Sequence, residues 1–493
     1  MLEDGSGRVS GGTGLEDFRT SEASCIMLHL LLSVAVLSQL KGRTAVDGAA
    51  VSSTICTVTG PAVIDFSGRV SFVQDRCAYT LMSTTDIQLL AVFKERRRQD
   101  VSFLDHVILR LVGPTVDIRL GEGGKVQVKD KALSLSAPQT VHGVELSQNK
   151  DGVTAKASFS GYTTSIFFDG TSAQIHVTGP TAQQGLCSKS SSLAEMKFAE
   201  FSSSSCKTVS SEPADSQINC VSVTERCNLL KKAPFTSCHS LVNSDSHATA
   251  CANTLCRYPD LDALSCRFLD SYGAACGMMG VVGAKDWRSK TGCSPPPQDV
   301  CQKASCSDHE FCGDDIHGRP VCLCRAAFAA GYKSKDSLGN QTVCKKDSAS
   351  VSLAACLLTE RGIDHTTLHL NDRTCGGQMD EKTHMVTFGF QSSKSCGAVI
   401  QASKKTMTFK NTIKNDITSA PILRKSAVKV DFSCFYQQPE VKAMPFKIKG
   451  GVKGVKGVQG VNGVNGVKGV KVHQCQALNA KVENPWPATD SAQ

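Results

Sequence analysis

The sequence predicts a multidomain, mainly β chain, with one small disulfide-rich helical module and one small cysteine-stapled module set among the β modules. Three observations carry this. The 493 residues exceed what a single core usually holds. The 24 cysteines are clustered, with only Cys56 and Cys77 falling between residues 26 and 186. Apolar and polar residues alternate in short runs separated by Gly, Asn and Asp, the period-two pattern of half-buried strands.

Composition narrows the class. Hydrophobic residues at 41% and charged residues at 20% fit folded globular material and exclude a mostly disordered chain. A net charge of +9 with only 6% aromatics gives little support to a nucleic-acid surface, so no nucleic-acid partner is expected. No two cysteines stand in the C-x2-C spacing that points both sulfurs at one zinc ion. A disulfide framework in an oxidising compartment is the expectation, without metal or cofactor.

Export agrees with that. IMLHLLLSVAVLSQL at 26–40 is a short apolar run followed by small residues near Ala45, the pattern of a signal peptide. Residues 1–45 are therefore set apart as an upstream extension and signal, with Met27 the expected start. No later run is long and apolar enough to read as a transmembrane anchor.

The first module, residues 46–220, contains HVILRLVG, TVDIRLGEG, GKVQVKDKALSLS, DGVTAKASFSG and SIFFDGTSAQIHVTG, which read as antiparallel strands of a sandwich or barrel-like sheet pair. The basic run Lys94–Arg98 reads as a solvated loop, the usual setting of a short charge run. CTVTGPAVIDFSG, DRCAYTL, FFDG and GLC at 185–187 together resemble the type D domain of von Willebrand factor. The resemblance implies a Cys56–Cys187 bridge and leaves Cys77 for Cys206 or Cys220. Gly60-Pro61 stands where many members carry a self-cleaving Asp-Pro, so no such cleavage and no calcium site are expected. Gln184 stands where members carry the vicinal cysteine used in disulfide-linked multimers.

Residues 221–296 alternate at helical spacing between cysteines, as in CNLLKKAPFTSCHSLV and LSCRFLDSYGAACGMMG, and predict small disulfide-laced helices. His239 beside Cys238 is the one nucleophile-and-base pattern. Adjacent helical residues point about 100° apart and cannot easily bond side chain to side chain, so Cys238 reads as a bridging cysteine. The pattern, with PF-x2-CH and a later DWR, resembles the eight-cysteine domain that follows type D domains.

Residues 297–346 hold six cysteines as C-x4-C-x5-C-x9-C-x-C-x19-C, too short a segment for a hydrophobic core without bridges. The C-x-C at 322 and 324 resembles an epidermal growth factor module, with a trypsin-inhibitor-like module as the other reading. The first resemblance implies Cys301–Cys312, Cys306–Cys322 and Cys324–Cys344. Asn340-Gln341-Thr342 is an N-glycosylation sequon.

Residues 350–440 return to strand alternation, with cysteines at 356, 375, 396 and 434. A sandwich pinned by nested bridges follows. Cys396-Gly397, Phe409-Lys410-Asn411 and Phe432-Ser433-Cys434-Phe435-Tyr436 resemble the N-terminal half of a zona pellucida domain, of immunoglobulin-like fold. That resemblance implies Cys356–Cys434 and Cys375–Cys396, and polymerisation into extracellular filaments. Unpaired groups on exposed sheet edges suit such assembly, because they template another strand. Residues 441–493, with the repeat GGVKGVKGVQGVNGVNGVKGVKV, read as a flexible basic tail standing where a second zona pellucida half would follow. Leaving Cys25 aside, pairing the modules internally leaves Cys475 unmatched.

No G-x-S-x-G, H-E-x-x-H, P-loop or dinucleotide fingerprint occurs, so no enzyme is expected. The order of modules resembles tectorin-like proteins of acellular apical gels. It implies a secreted structural component of an extracellular matrix, partnered by itself, by other zona pellucida-domain proteins and by matrix glycoproteins. A soluble extracellular binding module and a protease-inhibitor-like protein are the alternatives.

Overall fold

A computed structural model describes residues 55–437, apart from 160, 180–183, 189–190, 204–205, 207–208, 282–286, 294–305, 316, 404–405 and 417–426, together with 481–483. The signal peptide, Cys301, Cys475 and nearly all of the Gly-Val-Lys tail lie outside the described residues.

Two antiparallel sheets build the first module. One runs in the order Gln139–Val141, Val144–Gln148, Val153–Phe159, Tyr162–Phe168, Ser172–Thr178, Ile55–Thr59, Ala62–Ile64, Val70–Phe72. The other runs Lys197–Phe198, Ala78–Ser83, Ile87–Glu95, Ser102–Leu111, Val116–Gly121, Lys125–Val128, Lys131–Leu133. Strict alternation makes the core: in Val116–Gly121, Val116, Ile118 and Leu120 are buried while Asp117, Arg119 and Gly121 are half exposed. Val58, Leu89, Phe93, Leu109, Ile166 and Ile175 fill the space between the sheets, and Cys56–Cys187 and Cys77–Cys206 border it.

The helical module begins at α1 (Cys220–Cys227), continues through α2 (Ser244–Leu255) and α3 (Leu264–Met278), and reaches α4 (Trp287–Thr291). Asn219 and Asn243 cap α1 and α2, each side chain accepting two backbone N–H groups of the first turn. Four bridges hold it: Cys220–Cys256, Cys227–Cys251, Cys238–Cys276 and Cys266–Cys293. Its core is continuous with the sandwich, since Tyr258, Leu255 and Phe268 bury themselves against Ala62, Ile64 and Phe103.

A two-stranded hairpin, Glu310–Asp314 with Pro320–Cys324, and α5 (Ala326–Lys333) form the third module. The last module is a second sandwich. One sheet is Val343–Lys345, Ser348–Ala354, Met385–Gln391, Gln378–Met379; the other is Leu368–His369, Thr406–Asn415, Ala427–Gln437, Lys481–Glu483, with Val399–Ala402 also on Thr406–Asn415. Its core packs Val351, Leu353, Phe388, Ile413 and Phe432 beside α6 (Ala355–Glu360). The chain is thus mainly β, with small helices and many disulfides. Among the described residues no helix is long and apolar enough to cross a membrane.

Two expected bridges are replaced. Cys324 bonds Cys356, and Cys344 bonds Cys434, in place of Cys324–Cys344 and Cys356–Cys434. Strand pairing explains the exchange. Val343–Lys345 hydrogen-bonds to Ser348–Ala354, so Cys344 belongs to the last sandwich and reaches Cys434 across its core. Cys356 sits on α6, which lies against the Pro320–Cys324 strand, and its nearest bridging position is Cys324. The third and fourth modules are consequently joined covalently.

Candidate functional site

The run Lys94–Arg98 is not a solvated loop. Lys94 and Glu95 close a long strand of the first sandwich, and Arg96 is 8% exposed where three modules meet. Arg97 donates to both oxygens of Asp262, at 3.1 and 2.5 Å, and to the backbone carbonyl of Asp314 at 2.9 Å. Its backbone N–H donates to the Tyr258 hydroxyl at 3.0 Å. Arg98 turns to Asp100 at 2.9 and 3.0 Å. Arg97 is thus spent on an intermodule contact and Arg98 on one within the first module, which a count of charges along the chain cannot reveal.

Arg325, at the head of α5, completes this junction. It donates to the carbonyl of Glu95 at 2.7 Å and pairs with Asp105, while the backbone N–H of Ala326 reaches the carbonyl of Arg96 at 2.8 Å. Burial by itself would raise the Asp105 carboxyl, but Arg325, His106 and Lys94 hold it well below the usual carboxylate range. On the far side Glu310 joins His384 of the last sandwich at 2.6 Å and accepts the Ser307 backbone N–H at 3.0 Å. Sequence reasoning missed Arg325, Asp105, Asp262 and Glu310; their partners lie far away along the chain, so none carries a spacing signal.

A cleft of about 810 Å³ opens beside the junction. The first sandwich, α3 and the Glu310–Asp314 hairpin line it, with Arg96, Glu122, Arg267 and Asp314 on its walls. Burial pushes the Glu122 carboxyl up, against the pull of Arg96.

Cys238 forms a disulfide with Cys276, and His239 meets the carbonyl of Leu230 at 2.9 Å, so no thiolate–imidazole pair exists there. Two groups of metal-ligand type occur among the described residues, Cys306/Glu310/Cys322 and His309/Glu310/Cys356. Their sulfurs are consumed in the Cys306–Cys322 and Cys324–Cys356 bridges, which removes the thiolates a metal would need. Cys312 is also disulfide-bonded. Asn340 is exposed, its side-chain oxygen accepting the Tyr332 hydroxyl at 2.8 Å.

In the last sandwich, Cys375 bonds Cys396. Asn411 is buried beside that bridge, donating to the Cys396 carbonyl at 3.0 Å and accepting the Asn371 and Thr412 backbone N–H groups at 3.1 and 2.9 Å. Tyr436 donates its hydroxyl to the carbonyl of Lys345 at 2.8 Å. The loop after Cys396 leads directly into the strand Val399–Ala402, exposed along its whole length. Val399 and Ile400 are each 53% exposed.

Two sandwiches, a four-bridge helical module and a hairpin fused through disulfides and buried charges define an extracellular modular protein in which every described cysteine is disulfide-bonded. Residues 226–294 match the C8 domain, and residues 344–437 match the ZP-N domain. The chain is alpha-tectorin-like. It is 27% identical to alpha-tectorin of Mus musculus over 247 residues, which cover 49% of this chain and 11% of that protein. It is 26% identical to uromodulin of Rattus norvegicus over 180 residues, 31% of this chain and 27% of that one. Otogelin-like protein of Mus musculus is 26% identical over 233 residues, 40% of this chain and 10% of the relative. The chain therefore spans about a tenth of the length of the alpha-tectorin it matches.

Proposed function

We propose that this chain is a secreted structural component of an extracellular matrix or apical gel and that it joins filaments through the last sandwich, with itself or with other zona pellucida-domain proteins as partner. Residues 46–220 serve as a von Willebrand type D-like domain and residues 297–346 as an epidermal-growth-factor-like or trypsin-inhibitor-like module. Both, with a glycan on Asn340, present lateral contacts to matrix glycoproteins. The observation that supports this reading is the Val399–Ala402 edge: a strand that among the described residues pairs on one side only, bearing two half-exposed β-branched residues within the ZP-N match. Such an edge favours addition of a strand from a neighbouring chain.

The test is secretion of the full chain, followed by electron microscopy and non-reducing size analysis, beside a Val399→Lys, Ile400→Lys variant. Filaments or high oligomers that the variant lacks are the expected result. A strictly monomeric, fully bridged product overturns homopolymerisation. A second reading, a soluble binding module, is favoured by the intermodule cleft.

A further inference from the structure

Arg96 is more than nine-tenths buried, yet its guanidinium has no hydrogen-bond or ion-pair partner among the described residues. It lies over the rings of Phe103 and Phe311, at 5.0 and 5.9 Å from their centroids, and lines the intermodule cleft. A guanidinium carries five donors, and those of Arg96 front the cleft without a protein acceptor, where a bound anion could engage them. Arg267 of α3 fronts the same cleft; its side chain makes no hydrogen bond among the described residues, and its charge is felt by Asp270 and Asp314. Gly273 and Gly277 of the same helix also line the cleft, and a side chain at Gly277 would meet nothing within 4 Å.

The cleft is not built for a polyanion. Six acidic side chains line it against four basic ones, and an extended run of sulfates or phosphates would meet that surplus. Asp314 shows what else is wanted. Its backbone N–H donates to Asp262 at 2.7 Å and its carbonyl accepts from Arg97, but its carboxylate makes no hydrogen bond among the described residues, and Arg97 and Arg267 act on it through their charge alone. It is an acceptor waiting for a donor. A ligand suited to this lining carries one isolated negative group for the arginines and several hydroxyl donors for the carboxylates. Glu122 lines the cleft beside Arg96, and burial pushes its carboxyl up against the pull of that arginine.

We propose that the cleft binds carboxylate-bearing saccharides, with the sugar carboxylate on Arg96 and Arg267 and ring hydroxyls donating to Asp314. Arg–carboxylate pairing supplies orientation as well as attraction. The volume is within the range of small-ligand pockets. This site is independent of the edge strand through which the chain is proposed to assemble.

Isothermal titration of the full secreted chain tests it with four probes: a hyaluronan tetrasaccharide, sialyllactose, their neutral counterparts (the carboxyl-reduced tetrasaccharide and lactose), and a heparin oligosaccharide. Binding of the tetrasaccharide identifies a uronate site and binding of sialyllactose a sialate site; the neutral counterpart of whichever binds should be at least tenfold weaker. Arg267→Gln, which removes no side-chain hydrogen bond among the described residues, should weaken that binding about tenfold while shifting the melting temperature little, and Asp314→Asn should weaken it as well. No heat with either acidic sugar, equal binding of charged and neutral forms, preference for heparin, or an Arg267→Gln chain that binds normally would each overturn the proposal.

Discussion

Arg97 of the first sandwich holds Asp262 of the helical module through two parallel hydrogen bonds, Nε to Oδ2 at 3.1 Å and Nη2 to Oδ1 at 2.5 Å. Asp262 also accepts the backbone N–H of Asp314 at 2.7 Å, so one carboxylate ties three modules together. This joint is ionic, bidentate and largely shielded from water.

Arg97→Met should therefore leave the 8% exposed Asp262 carboxylate unpaired and lower stability by about 2 kcal/mol, the range for a hydrogen bond to a charged group. In a double-mutant cycle with Asp262→Asn, followed by urea unfolding, the two changes should be strongly non-additive. Additivity within about 0.5 kcal/mol would show that the pair contributes nothing to the joint.

The exchanged bridges can be read directly. Non-reducing peptide mapping should recover Cys324 linked to Cys356 and Cys344 linked to Cys434. A Cys324→Ser, Cys356→Ser chain opens a loop of sequence separation 32 and should lose about 4 kcal/mol on the chain-entropy estimate. A linked peptide joining Cys324 to Cys344 would contradict the arrangement.

The sandwiches were legible because period-two alternation survives in strands such as Tyr162–Phe168, where Tyr162, Thr164, Ile166 and Phe168 face inward. The bridge exchange was not. Spacing alone assigns Cys344 to the cysteine-rich segment before it, and only the ladder between Val343–Lys345 and Ser348–Ala354 moves it into the next domain. The junction was illegible for a related reason. KERRR looks solvated until Asp262, 165 residues away from Arg97, folds against it. Long-range partners of charges leave no periodic trace, whereas a buried apolar face does.

Gly185 explains why the GLC stretch needs its glycine. Its φ is +128°, and a Cβ there would meet the Leu81 carbonyl oxygen at 2.4 Å and its carbon at 2.6 Å, both backbone. The close approach lets the Leu186 and Cys187 N–H groups donate to the Thr80 and Leu81 carbonyls at 3.0 and 2.9 Å, which seats Cys187 opposite Cys56. Gly185→Ala should cost about 2 kcal/mol or more and raise the fraction of secreted chain with free thiols. Wild-type melting with full Cys56–Cys187 closure would refute the steric account.

His247 on α2 gives a pH dependence whose sign is fixed by burial. Its Nδ1 donates to the Asn243 carbonyl at 2.9 Å, its Nε2 is buried without a partner, and its ring stands edge-on to Tyr272 with centroids 4.9 Å apart. Burial pushes the imidazole down from its ordinary 6.5 to about 4. Below pH 6.5 the unfolded chain takes up a proton that the folded chain refuses until about pH 4. Stability is thus fully present above 6.5 and declines as pH falls through that window, by roughly 3 kcal/mol at its end. In His247→Gln, which keeps a donor for Asn243, this component should vanish while the carboxylates titrate as before. Urea unfolding of both chains at pH 7.5, 6.0 and 4.5 gives the comparison. The wild-type advantage should shrink toward acid; a constant difference across the three pH values would mean that His247 charges in the folded chain as readily as in the unfolded one.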